Sequence, residues 1–290
     1  MKEYINNADT ACADMDDLRR FAADIRIQTI RMFAHSGYGH IGGAMSIADV
    51  LAVLYGGVMA FDPGNPSWEE RDRLVLSKGH SGPSLYAALA LKGFFPLEEL
   101  KTLNQGGTRL PSHCDRLKTP GIDMTTGSLG QGVSAAMGIA MGVRMKGLPG
   151  YTYLIIGDGE LQEGQVWEGI QFAAHQKLDR LIAFVDYNKK QLDGLVDDIC
   201  KPFDICEKFR SFGWNAQVVK GYDVKEIYEA IGNAKKVKGK PSAIVLDTIK
   251  GKGCCFAENT DFNHYMVISE KMAEEAVLEI ENSLKAQVKE

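Results

Sequence analysis

Short apolar runs alternate with helical stretches through the second half of the chain, and this rhythm constrains the fold more than any other feature. The runs lie at 151–156 (YTYLII), 181–186 (LIAFVD) and 242–249, with a further strand at 214–219, and the spacing predicts helices at 163–176, 203–212 and 223–236 between them. Unbroken apolar runs belong to strands buried on both faces, and a helix between successive runs makes those strands parallel. Upstream, RLVLS at 73–77 reads as another strand. Leu18, Phe21, Ile25, Ile30 and Phe33 recur at helical spacing over 14–33, and 44–59, 82–91 and 129–145 also read as helices. The last of these is thick with Gly and Ala, as a helix packed close on a sheet requires. The fold class is therefore α/β, a three-layer α/β/α arrangement around a mainly parallel sheet of about five strands. In such sheets ligands sit outside the carboxyl ends of the strands. With no internal repeat or low-complexity linker, 14–265 reads as one domain, with a tail at 1–13 and a C-terminal helix at 266–290.

Composition narrows the function. The net charge of −5 is spread along the chain and leaves no basic groove for nucleic acid. No apolar run approaches the roughly 20 residues that span a bilayer. The polar, acidic stretch Met1 to Asp17 is unlike a signal or transit peptide. Cys12, Cys114, Cys200, Cys206, Cys254 and Cys255 show neither Cys-x-x-Cys nor zinc spacing, so they read as free thiols in a reducing, cytoplasmic setting. The 31 glycines against 9 prolines, with no Gly-X-Y period, point to loops in which backbone faces a ligand.

Those loops carry the chemistry. Gly157-Asp158-Gly159 ends one strand and Asn188 follows the next, which aims a carboxylate and an amide oxygen at the same crevice. A hard cation such as Mg²⁺ takes oxygen ligands and leaves positions for phosphate and water. The glycines let backbone approach a diphosphate, and the N–H groups of the following helix would face it. Gly130-Gln131-Gly132-Val133-Ser134-Ala135 fits a dinucleotide fingerprint, but MTTGSL before it is not a buried strand. A nicotinamide or flavin role is set aside.

Seven ordered segments extend the pattern: SGYGHIGGAMS (36–46), RLVLSKGHSG (73–82), LPSHCD (110–115), TTGSLGQG (125–132), GDGELQEGQVWE (157–168), VDYNKKQLDG (185–194) and TIKGKG (248–253). Over residues 15 to 265 the chain resembles the N-terminal, diphosphate-binding half of transketolase, as found in the first chain of two-chain transketolases. The resemblance implies the thiamine diphosphate-binding fold of PP type, with thiamine diphosphate and Mg²⁺ as cofactors (Ca²⁺ or Mn²⁺ can substitute). It makes Asp158, Asn188 and the Lys190 carbonyl the metal ligands. Gly159 would give its N–H to the diphosphate, Gly127, Ser128 and Leu129 would line the cofactor rings, and Asn188 and Lys250 would lie at the diphosphate. His40 and His113 fall to the donor sugar, and His80 and His264 to cofactor phosphate and reacting oxygens. Imidazole suits handling of hydroxyl and carbonyl protons near neutrality. Glu163 would reach the cofactor-activating glutamate of a second chain, and two facing carboxylates raise one pKa.

The activity so implied is transfer of a two-carbon ketol unit from a ketose phosphate to an aldose phosphate, in carbohydrate metabolism of the pentose phosphate kind. The partner would be a C-terminal, pyrimidine-binding transketolase subunit, in an α2β2 heterotetramer. Residues 1–290 end about where that half would begin. A ketol synthase, a 2-oxoacid dehydrogenase subunit or a non-catalytic thiamine diphosphate module are the alternatives, and GDG-x-x-x-E, the KGH segment and the histidine set argue against them. Gly43 stands where some members carry a serine, Lys189 where a second Asn is common, and Asn-His-Tyr (263–265) where Trp-His-Gly is common. His35 and His175 match no family position and read as surface or structural.

Overall fold

Helix α1 (Met15–Ser36) opens a computed structural model that describes residues 13–287. The Asp14 side chain caps it by accepting from the Asp16 N–H at 2.8 Å, and Gly37 ends it in the left-handed region. Its buried stripe, with Leu18, Phe21, Ile25, Ile30 and Phe33, is the one the spacing predicts. The tail at 1–13, apart from Ala13, lies outside the described residues, as does Cys12.

The single helix expected over 44–59 is not formed. After the short strand β1 (Tyr38–Gly39) come α2 (Ile41–Met45), α3 (Ala48–Val53) and one wide turn over Leu54–Val58. The break has a tertiary cause. The loop after residue 247 crosses α2, with Gly42 donating to the Asn263 carbonyl at 3.0 Å and Gly251 donating to the Gly42 carbonyl at 2.9 Å. A Cβ at Gly42 would lie 2.3 Å from the Asn263 carbonyl oxygen. By length and composition Ile41–Val58 could cross a membrane, but 83% of it is buried inside this fold. Its hydrophobicity serves the core.

The expected alternation follows: β2 (Arg73–Leu76), α4 (Gly82–Leu91), α5 (Gln131–Met145), β3 (Thr152–Gly157), α6 (Gly164–His175), β4 (Leu181–Tyr187), α7 (Val196–Cys200), α8 (Ile205–Ser211), β5 (Asn215–Lys220), α9 (Val224–Lys236) and β6 (Ser242–Asp247). Five strands form one parallel sheet in the order β2-β3-β4-β6-β5. Successive strand residues point to opposite faces. Tyr153, Ile155, Phe184 and Leu246 therefore pack under α1, α3, α4 and α9, while Leu154, Ile156, Val185 and Val245 pack under α5, α6 and α8. These are the three layers. Helix α5 does lie close on the sheet, since a Cβ at Gly132 would sit 2.7 Å from the Ser77 Cα.

The helix expected from 266 starts later. After α10 (Cys255–Glu258), β7 (Met266–Val267) pairs antiparallel with β1, Tyr38 opposite Val267, and α11 (Glu270–Gln287) follows. Ala273, Ala276, Val277 and Ile280 of α11 are buried in the same core as α1, so this segment packs as part of the domain.

Candidate active site

The residues singled out by sequence gather at the carboxyl ends of the strands. His80 lies in a tight turn after β2, Asp158 after β3, Asn188 after β4 and Lys250 after β6. His40 precedes α2, and the loops carrying His113 and His264 fold over the same edge. Together they line a cavity of about 340 Å³, to which Gly127, Leu129, Gly159 and Lys190 also contribute. A larger hollow of about 600 Å³ beside α11 is walled by charges already paired, Arg26 with Asp49 and Lys252 with Glu258. It contains none of the predicted site residues.

On the cavity floor, Asp158, Asn188 and Lys190 present oxygens within one small cluster. The two Asp158 oxygens accept from the Gly159 N–H at 2.8 Å and the Lys189 N–H at 2.6 Å. Asn188 Oδ1 accepts from the Lys190 N–H at 3.2 Å, and the Lys190 carbonyl accepts from Lys250 Nζ at 2.8 Å. Burial, and then the Asp186 carboxylate, push the Asp158 pKa up to about 7. One carboxylate, one amide oxygen and one carbonyl form a hard donor set short of six. The set fits a divalent cation such as Mg²⁺ with phosphate and water completing it. Lys250 adds a buried ammonium that also meets His264 Nδ1 at 3.0 Å. Burial, with Lys78 second, lowers its pKa to about 8.

Four histidines ring the space above. His40 stands 5.5 Å from His80, 5.6 Å from His113 and 5.4 Å from His264, ring centre to ring centre, and His80 and His264 are 4.8 Å apart. Tyr265 packs edge-on to His40 at 5.0 Å, held near it by the β1–β7 ladder. Burial above all drives the imidazole pKa values down, to about 4 for His40 and about 3 for His264. His80 falls well below the ordinary value and His113 is lowered, again by burial. At neutral pH all four are uncharged, so each offers one donor and one acceptor nitrogen. His35 and His175 sit exposed in the last turns of α1 and α6.

Two of the singled-out residues stand apart from the cavity lining: Ser128 is exposed, and so is Glu163, the N-cap residue of α6. The chain after Asp158 makes a single tight turn over Gly159–Gln162, and α6 begins only at Gly164. The helix therefore starts later than the spacing predicts, and the Gly159 N–H is engaged by Asp158. Within this turn lies Glu160, a buried residue that the motif spacing does not bring forward. Its carboxylate folds back to accept from Ser77 Oγ, from the Gly130 N–H at 2.7 Å and from the Gly157 N–H at 3.0 Å. Lys78 and Asp186 escape sequence reasoning as well; they form a buried ion pair, and Lys78 also lines the cavity. Each stands inside a segment already singled out. A charge within a buried run, as in LIAFVD, is the available signal, because it must find a partner.

Comparison with known proteins places the chain. The family described as "Transketolase, thiamine diphosphate binding domain" matches residues 18–277. The chain is 55% identical over 265 residues to the 6-deoxy-6-sulfo-D-fructose transketolase subunit of a Clostridium species, covering 91% of this chain and 96% of that one. It is 34% identical to the apulose-4-phosphate transketolase subunit of Phocaeicola vulgatus, over 87% of this chain and 89% of that one. Against human transketolase the identity is 37%, over 94% of this chain but only 43% of the longer protein. The solved structure of Campylobacter jejuni transketolase superposes with a TM-score of 0.86 at 31% identity, over 92% of this chain and 43% of that one. The five-stranded sheet, the strand-end site and these likenesses agree: the chain belongs to the transketolase family and carries its thiamine diphosphate-binding domain.

Proposed function

We propose that this chain supplies the diphosphate- and metal-binding half of a ketol transferase. It would act with a second chain that carries the pyrimidine-binding half, two copies of each assembling. The observation that carries the proposal is the ring of four neutral histidines standing over the Asp158–Asn188–Lys190 oxygen cluster in one cavity. Thiamine diphosphate, when bound, supplies the nucleophilic carbon and the electron sink for carbon–carbon cleavage. The chain's own residues do the rest. Asp158, Asn188 Oδ1 and the Lys190 carbonyl hold Mg²⁺, which Ca²⁺ or Mn²⁺ can replace. His80, Lys250 and the Gly159 N–H would hold the diphosphate. Gly127 and Leu129 line the cofactor rings. His40 and His113 hold and exchange protons at the hydroxyl and carbonyl oxygens of the sugar, and His264 serves between sugar and phosphate. Ser128 and Glu163, both outside the cavity, fit contacts to the second chain, Glu163 with that chain's activating glutamate. The setting proposed is cytoplasmic, as read from the cysteine spacing of the sequence.

The 55%-identical relative is named for a sulfonated ketose, so a 6-sulfo-ketose is the donor to test beside ordinary ketose phosphates. The chain and its partner, loaded with Mg²⁺ and thiamine diphosphate, should move two carbons from one of these donors to an aldose phosphate. Product detected from a 2-oxoacid, and from no ketose, would replace the reading with that of an oxoacid dehydrogenase subunit.

A further inference from the structure

The proposed metal site rests on a residue outside its ligand set. Asn188 can ligate a cation only through Oδ1, yet its amide has two ends of nearly the same shape. Asp186, the last acid of the LIAFVD run, lies two residues earlier and is fully buried. Its Oδ2 accepts from Asn188 Nδ2 at 2.8 Å, from Ser46 Oγ at 2.7 Å and from the Lys78 ammonium. Lys78 in turn donates to the Gly43 carbonyl at 3.0 Å. One carboxylate oxygen therefore ties the end of β4 to the turn after β2 that carries His80, and to α2, which His40 precedes.

An apolar cluster of the same volume would hold these elements together without the cost of desolvating an ion pair. It could not tell the two ends of the Asn188 amide apart. The other oxygen of Asp186, Oδ1, is buried with no hydrogen-bond partner, a further cost that packing alone does not require. We propose that Asp186 is the positioning residue of the metal site: by accepting from Asn188 Nδ2 it turns Oδ1 toward Asp158 and Lys190. Lys78 balances its charge. Partners that orient a metal ligand in this way typically change metal affinity 10- to 100-fold when lost.

The proposal rests on the metal reading given above, and the test separates the two. Mn²⁺ affinity is measured by electron paramagnetic resonance in the presence of thiamine diphosphate, with the full chain alone and mixed with its partner. Two variants share a Lys78→Met background, so that neither leaves an unpaired ammonium. In one, Asp186→Asn keeps an acceptor oxygen for Asn188 Nδ2. In the other, Asp186→Leu removes it, with Asp186→Ala standing in should the leucine variant lack a cooperative melt. The acceptor-bearing variant should bind Mn²⁺ at least tenfold more tightly than the acceptor-free one. Equal affinities overturn the proposal, whatever the melting temperatures do, since a merely structural role would lower stability and leave the ratio at one. Failure of the unaltered protein to bind Mn²⁺ at all overturns the metal reading, and this proposal with it.

Discussion

Replacing Asp158 by Asn separates the metal from the turn that holds it. The carboxylate is the only anionic group in the oxygen cluster, and its two oxygens also accept the Gly159 and Lys189 N–H groups at 2.8 and 2.6 Å. Alanine would strand both N–H groups and confound the result. Asparagine keeps one acceptor and sets an amide against the other N–H, which costs about 1–3 kcal/mol of stability. Loss of the repulsion between Asp158 and Asp186 offsets part of that, so the metal-free chain should unfold in urea within about 3 kcal/mol of the unaltered one. Metal binding should suffer more specifically. A direct anionic ligand matters at least as much as an outer partner, so the affinity for Mg²⁺ and thiamine diphosphate should fall at least 10- to 100-fold, about 1.4 to 2.7 kcal/mol. Titration calorimetry on the chain mixed with its partner measures it. Cofactor affinity unchanged in a variant that still melts cooperatively would refute the ligand assignment.

Two further outcomes follow from the histidine ring. His113→Ala should lower kcat/KM for the donor while cofactor affinity stays within a fewfold, and steady-state kinetics beside a cofactor titration separates these effects; the reverse pattern would move His113 to the phosphate. His40, lowered to about 4 by burial and then by His113 and Lys250, stays neutral in the fold while the unfolded chain takes up a proton below about pH 6.5. Its contribution is present above that pH and is lost as the pH falls toward 4, so His40→Asn should show a smaller drop in melting temperature from pH 7 to pH 5 than the unaltered chain.

The parallel sheet was legible because strands buried on both faces leave unbroken apolar runs, and their ends led directly to Asp158 and Asn188. Three kinds of feature were not. Strands of two residues, such as Tyr38–Gly39 and Met266–Val267, are too short to show any period. The break after Met45 is imposed by the segment around Asn263, more than 200 residues away, so the local apolar pattern reads as one helix. Glu160, Lys78 and Asp186 act through buried hydrogen bonds and an ion pair, and such partnerships carry no fixed motif spacing. Ser128 and Glu163 match family positions, yet this chain alone leaves them outside the cavity.

As proposed here, the chain holds the diphosphate and metal but cannot complete the reaction without a second chain. The most direct test is a ketol-transfer assay on the purified chain with Mg²⁺ and thiamine diphosphate, run with and without the candidate pyrimidine-binding partner. The chain alone should give background turnover, and the rate should rise with added partner and level off at one partner per chain. Full turnover with no second polypeptide present would contradict the proposal.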